Sequence, residues 1–115
     1  MLGFIRMLKH FAPDMIAAGG GSIICTGNTS AHRGKGNFGS FAATKCGQRI
    51  LAESAARKLM PQGIHVAYLT IDAVIAGTPP ARMAVRGGKT ADFFIQPAAI
   101  AHELYHLTQQ GKSAW

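Results

Sequence analysis

The sequence predicts an α/β chain built on a parallel strand–helix–strand unit, and three observations carry that prediction. Two apolar runs, residues 22–26 and 64–71, have the length and β-branched content of strands. Between them, residues 40–60 carry apolar side chains at helical spacing, with Ser40 as cap and Pro61-Gln62-Gly63 as stop. A connection that long joins parallel neighbours, and such crossovers are right-handed.

The elements follow in chain order. Residues 1–18 form a helix in which Leu2, Ile5, Leu8, Phe11 and Met15 recur at three- and four-residue steps. Arg6, Lys9 and His10 take its other side, no capping residue precedes it, and Pro13 is expected to break or kink it. Gly19-Gly20-Gly21 ends it, the 22–26 strand comes next, and residues 27–39 are a polar, glycine-rich loop. In the 40–60 helix Ala43, Cys46, Ile50, Leu51, Ala55 and Leu59 are placed inward. The unbroken apolar character of 64–71 predicts a strand buried on both faces. Residues 72–96, with Gly77, Pro79, Pro80, Gly87 and Gly88, read as a long mobile segment with room for a short helix. Residues 97–109 close the chain as a helix.

Composition fits one globular domain: 115 residues, 48% hydrophobic and 15% charged. Twelve Lys and Arg against five Asp and Glu give +7, which suits a polyanion or a phosphorylated cofactor. The basic residues are scattered rather than blocked, which argues against nucleic acid. Cys25 and Cys46 lie in apolar segments at no metal spacing, and read as buried thiols of a reducing cytoplasm. No apolar run is long enough to cross a bilayer, so no membrane role is expected.

Three short patterns match motifs without their context. Gly34-Lys35-Gly36-Asn37-Phe38-Gly39 is a literal G-x-G-x-x-G, but seven residues separate it from Thr26, where a phosphate-binding turn would follow the strand directly. His102-Glu103-Leu104-Tyr105-His106 is a literal H-E-x-x-H, able in principle to hold zinc. No His, Asp, Glu or Cys follows His106 as third ligand, which would leave an upstream residue such as Asp72 or His65, so no metal is assigned. Asn28-Thr29-Ser30 is a glycosylation acceptor in a chain with no secretion signal.

An ordered set of segments is more specific than any of these. A Gly-Ser-Ile-Ile strand leads to a small polar loop. Thirteen residues after Asn28 stands an aromatic, Phe41, and four later a lysine, Lys45, on an alanine-rich helix. Gly-Ile-His-Val then opens a strand ending in Ile-Asp-Ala-Val-Ile-Ala-Gly-Thr-Pro. Over nearly its whole length the chain resembles the C-terminal half of a short-chain dehydrogenase/reductase. The resemblance implies a partial Rossmann-like, doubly wound parallel sheet: a βαβ unit with flanking helices, 1–115 being a single partial domain. The family's Thr-Gly-x-x-x-Gly-x-Gly turn and its Asn-Ala-Gly are absent, so the chain is expected to be truncated, lacking the dinucleotide-binding half.

That resemblance also implies a site. In active members a serine, a tyrosine and a lysine do the chemistry, and those positions hold Asn28, Phe41 and Lys45. Only Lys45 keeps the family's residue, and it would bind the nicotinamide ribose of NADP or NAD. Ile75 fits the backbone contact to the carboxamide and Thr78 the hydroxyl nearby, although Asp72-Ala73 replace Pro-Gly and the loop is one residue longer. A phenyl ring has no ionisable proton, so the implied function is a catalytically impaired NAD(P)-dependent oxidoreductase acting on a small carbonyl or alcohol. The competing reading is a non-catalytic oligomerising or binding protein derived from the fold. Either way, helices 1–18 and 40–60 are the implied contacts of a homo-oligomer.

Overall fold

The computed structural model describes all of residues 1–115 and begins with α1, Leu2–Ala17. Its buried side is Phe4 and Ala12, joined by half-buried Met7, Leu8, Met15 and Ile16. The expected stripe is therefore only partly right, for Leu2 and Phe11 are 67% and 52% exposed. The helix is apolar at so many positions that several stripes fit the spacing, and small Ala12 allows the closest approach. Pro13 lies within α1 without ending it. Lys9, whose carbonyl loses its helical partner to Pro13, is exposed, so water can serve that group.

Gly19, Gly20 and Gly21 then turn the chain with φ of +92°, +133° and +154°. A side chain on Gly20 would put its Cβ 2.5 Å from the Gly63 carbonyl oxygen. That close approach lets the Gly21 N–H donate to the Gly63 carbonyl at 3.3 Å. It sets the register of β1, Gly21–Asn28, beside β2, Ile64–Ile71. The two strands are parallel and matched from Gly21↔Ile64 to Asn28↔Ile71. Pairing with β2 carries β1 beyond the 22–26 run, through Gly27 and Asn28, which have little strand propensity of their own.

The crossover is α2, Gly39–Leu59. It buries Ala42, Ala52, Ala55 and Leu59, so Ala55 and Leu59 face inward as expected, and Leu51 is half-buried. Ala43, Cys46 and Ile50 instead are exposed, which also removes Cys46 from the buried thiols. The sheet is approached through alanines, and the bulkier residues turn outward. One core results: Phe4, Ala12, Ile23, Cys25, Ala52, Ala55, Leu59, Ile64 and Val66, with Ile64 fully enclosed.

In β2 only Ile64, His65 and Val66 are buried, so burial on both faces holds for its start alone. On the face away from the core the His65 ring stacks on Trp115, centroids 5.0 Å apart and planes 7° from parallel. Trp115 is held there by its indole N–H, which donates to the Gln110 carbonyl at 2.9 Å. The 72–96 segment contains the short helix it had room for, α3, Pro79–Arg86. A short parallel pair, β3 (Val74–Ile75) and β4 (Phe94–Ile95), brackets that helix. The last helix, α4, Pro97–Thr108, lies against β1 and β2 without burying any residue completely. No helix is long and apolar enough to cross a membrane.

The surface is large for the mass. A folded monomer of 12.1 kDa exposes about 6,000 Å², whereas this chain exposes 7633 Å². Its radius of gyration is 16.2 Å, against about 13 Å for a compact chain of this length.

Two polar atoms are stranded in this packing, His65 Nδ1 and the Tyr68 hydroxyl. The Tyr68 hydroxyl is sealed from solvent with no hydrogen-bond partner, and it fills the space a side chain on Gly27 would need. Burial pushes its pKa up, with the Cys25 thiol adding to the effect. Deleting an unsatisfied buried hydroxyl removes a desolvation cost, so Tyr68→Phe should stabilise the chain by about 1 kcal/mol. Thermal melts would show it, and a lowered midpoint would mean that the hydroxyl is hydrogen-bonded in solution.

Candidate active site

In open α/β sheets ligands meet the carboxyl ends of the strands. Here those ends are Asn28 of β1 and Ile71 of β2, which are register partners. The Asn28 side-chain carbonyl accepts from the Ser30 N–H at 3.1 Å and so caps the short 3-10 turn at Thr29–Ala31. Its amide N–H groups remain free to donate. The Thr29 hydroxyl donates to the Asp72 carboxylate at 3.0 Å, and the Arg33 guanidinium lies 4.0 Å from the same oxygen. The loops after the two strands are thus tied to one another. Arg49 on α2 donates through Nε to the Ala31 carbonyl at 3.4 Å, fastening the first loop to the helix.

Phe41 and Lys45 sit in the first two turns of α2, one above the other as i and i+4. The Lys45 ammonium is 6.0 Å from the Phe41 ring centroid, the outer limit of a cation–π contact. Phe41 is 42% exposed, so its ring is not a core residue. Lys45 Nζ donates to the Gln48 side-chain carbonyl at 3.1 Å, and Gln48 Nε2 reaches Cys25 Sγ at 3.0 Å. Burial pushes the Cys25 thiol pKa up, while the Gln48 hydrogen bond and the Lys45 charge pull the other way. This line from Lys45 through Gln48 to β1 was not anticipated, although the i, i+3 spacing of Lys45 and Gln48 was there to be read.

Thr78 and Ile75 are brought together at the start of α3. The Thr78 hydroxyl donates to the Ile75 carbonyl at 2.7 Å, and the Thr78 N–H reaches the same oxygen at 3.4 Å. Among the predicted site residues the direct links are Phe41 with Lys45 and Ile75 with Thr78. Asn28 is joined to the second loop only through its neighbour Thr29.

The two other motif matches border these loops without the context their motifs need: Gly34 lines a cavity with Ser30 and Arg33, and His102 and Glu103 line one with Ile71 and Asp72. The Gly34–Gly39 stretch follows the 3-10 turn rather than a strand, and it uses a left-handed Asn37, φ 65°, to enter α2. His102, Glu103 and His106 lie on the exposed side of α4, each imidazole Nδ1 within 3.9 Å of the Glu103 carboxylate. No group of three or more His, Cys, Asp or Glu is arranged to hold a metal ion.

Comparison with known proteins agrees with this geometry. The family model for short chain dehydrogenase matches residues 1–80. An uncharacterised short-chain type dehydrogenase/reductase of Sinorhizobium fredii is 40% identical over 72 residues, 61% of this chain and 28% of that protein. Human 17-beta-hydroxysteroid dehydrogenase type 1 is 33% identical over 60% of this chain and 21% of its own. A crystal structure of a short-chain dehydrogenase from Rhodopseudomonas palustris superposes with a TM-score of 0.65 at 40% identity, over 90% of this chain and 39% of that one. The chain thus spans between a fifth and two fifths of the proteins it matches. A parallel β1–α2–β2 unit, a lysine one turn beyond an aromatic on α2, and a family match over most of the length lead to one assignment: the chain belongs to the short-chain dehydrogenase family.

Proposed function

We propose that this chain supplies the substrate-side half of an NAD(P)-dependent oxidoreductase site whose proton-transfer group has been lost. The observation that carries the reading is the Phe41–Lys45 pair on one face of α2, the lysine present and the hydroxyl beside it absent. The residues fit the nicotinamide end of a dinucleotide. Lys45 commits one N–H to Gln48, which leaves two charged donors for ribose hydroxyls. The Thr78 hydroxyl, donating to Ile75, keeps its lone pairs for an incoming amide. When bound, the cofactor supplies the hydride.

The chain's own residues then have separable tasks. Asn28 can donate its amide to a substrate carbonyl and polarise it. Lys45 holds the ribose and places positive charge near the reacting centre. Phe41 offers only shape, so a proton must come from water, and general acid assistance worth about 10²–10⁴-fold is missing. The +7 charge favours the phosphorylated cofactor. Two unpaired thiols, one buried and one exposed, favour a reducing compartment such as the cytoplasm.

A second reading rests on exposed Leu2, Phe11 and Ile50, which give α1 and α2 an apolar outer side suited to a second copy and to a non-catalytic role. Titrating the chain with NADPH and following nucleotide fluorescence separates the two. Saturable binding, weakened about ten- to a hundredfold by Lys45→Met, is expected. No saturable binding by the unmodified chain would sink the cofactor reading and leave the second.

A further inference from the structure

Residues 76–96 enclose a cavity of about 430 Å³, the size of a small-molecule site. All of its walls belong to that one stretch, so α3 and the β3–β4 pair shape it by themselves. The Ala76 N–H donates to the Ile95 carbonyl at 2.9 Å and closes the stretch at its base. At the far end of α3, Gly88 turns with φ +85° and the Lys89 N–H returns to the Ala84 carbonyl at 3.0 Å. That turn leaves Lys89 lining the same cavity as Arg82 and Val85, which share one face of α3. The floor is apolar, with Ala81 buried and Phe94 half-buried.

The charged lining is Arg82 and Lys89, with no acid among the lining residues. Elsewhere arginines have carboxylate partners: Arg33 has Asp72, and Arg49 and Arg57 have Glu53. Arg82 and Lys89 have no such partner. The Lys89 ammonium instead lies 4.8 Å from the Phe93 ring centroid, and Asp92, the one carboxylate in 76–96, accepts from the Thr90 hydroxyl. A guanidinium fork and an ammonium beside an apolar hollow suit a small molecule with one anionic end.

We propose that this cavity holds the anionic group of the substrate, Arg82 as its bidentate partner and Lys89 as the second charge. The substrate class is then a carbonyl compound, or the matching alcohol, that carries a carboxylate or phosphate. The proposal rests on the oxidoreductase reading for the carbonyl and on the cavity for the anion. Gly77 lines the cavity and precedes Thr78, so the anion site and the candidate cofactor contact share one turn.

The test titrates the full chain with levulinate, its methyl ester and dihydroxyacetone phosphate, with and without NADPH, reading amide chemical shifts by NMR. Saturable shifts within residues 76–96 are expected for an anionic ketone, with the ester at least about tenfold weaker. The tighter of the two anions tells carboxylate from phosphate. Arg82→Gln should weaken that anion about ten- to a hundredfold. Arg86→Gln, on α3 but outside the lining, should change it by no more than about twofold. No saturable shifts, equal binding of acid and ester, equal losses in the two variants, or displacement of the anion by NADPH would overturn the proposal. NADPH bound without selective anion binding overturns this proposal alone. Selective anion binding without NADPH overturns the cofactor reading and leaves the anion site. The acid–ester pair on the unmodified chain decides if Arg82→Gln does not fold.

Discussion

On the oxidoreductase reading proposed above, Phe41→Tyr is expected to raise the rate of NADPH-dependent carbonyl reduction by about 10²–10⁴-fold, the usual worth of a positioned general acid. The substitution adds one oxygen to a ring that is already 42% exposed and one turn before Lys45, so little repacking opposes it. The Lys45 charge favours the phenolate, so the introduced hydroxyl should titrate below an ordinary phenol. It would then stand closer to the working pH of a proton shuttle. Spectrophotometric titration reads that shift without any turnover, and single-turnover kinetics read the rate. An unchanged rate in a variant that binds NADPH would show that something other than the missing hydroxyl limits the site.

Ile64→Ala is expected to cost about 2–5 kcal/mol, the range for removing a large aliphatic side chain from a close-packed core. Domains are stable by only about 5–15 kcal/mol, so the loss threatens folding itself. Ile64 is the one large residue with no exposure, and it opens β2 beside the Gly20–Gly63 contact that sets the register. Urea unfolding gives the measurement, with Ile50→Ala as companion. Ile50 is 46% exposed on α2, and its truncation should stay within about 0.5 kcal/mol. Equal losses at the two positions would refute the placement of the core.

The order of elements was legible because the signals are local and strong. Gly-Gly-Gly stops α1, Pro-Gln-Gly stops α2, and the run at 64–71 is too apolar for a loop. The parallel pairing followed from the length of the crossover. The helix faces were less legible. Spacing rules favour bulky residues such as Phe11 and Ile50, yet the sheet is met by Ala12, Ala52 and Ala55, whose small size allows close approach. The β3–β4 pair was not legible, since two residues carry no period. In the candidate site, Phe41 and Lys45 declare themselves by spacing on one helix. The contacts of Thr29 with Asp72 and of Gln48 with Cys25 join residues far apart in sequence, and only the assembled fold reveals them.

The stack of Trp115 on His65 gives the chain a built-in optical probe. Trp115 is its single tryptophan, so intrinsic indole emission comes from one place, the sheet face opposite α1 and α2. Far-UV circular dichroism, in contrast, is dominated by the helices, and most helical residues belong to α1 and α2 on the other face. A denaturation curve followed by both signals therefore asks whether the two faces let go together. Coincident curves describe one cooperative unit, and an earlier change in emission describes a tail that lifts before the core opens.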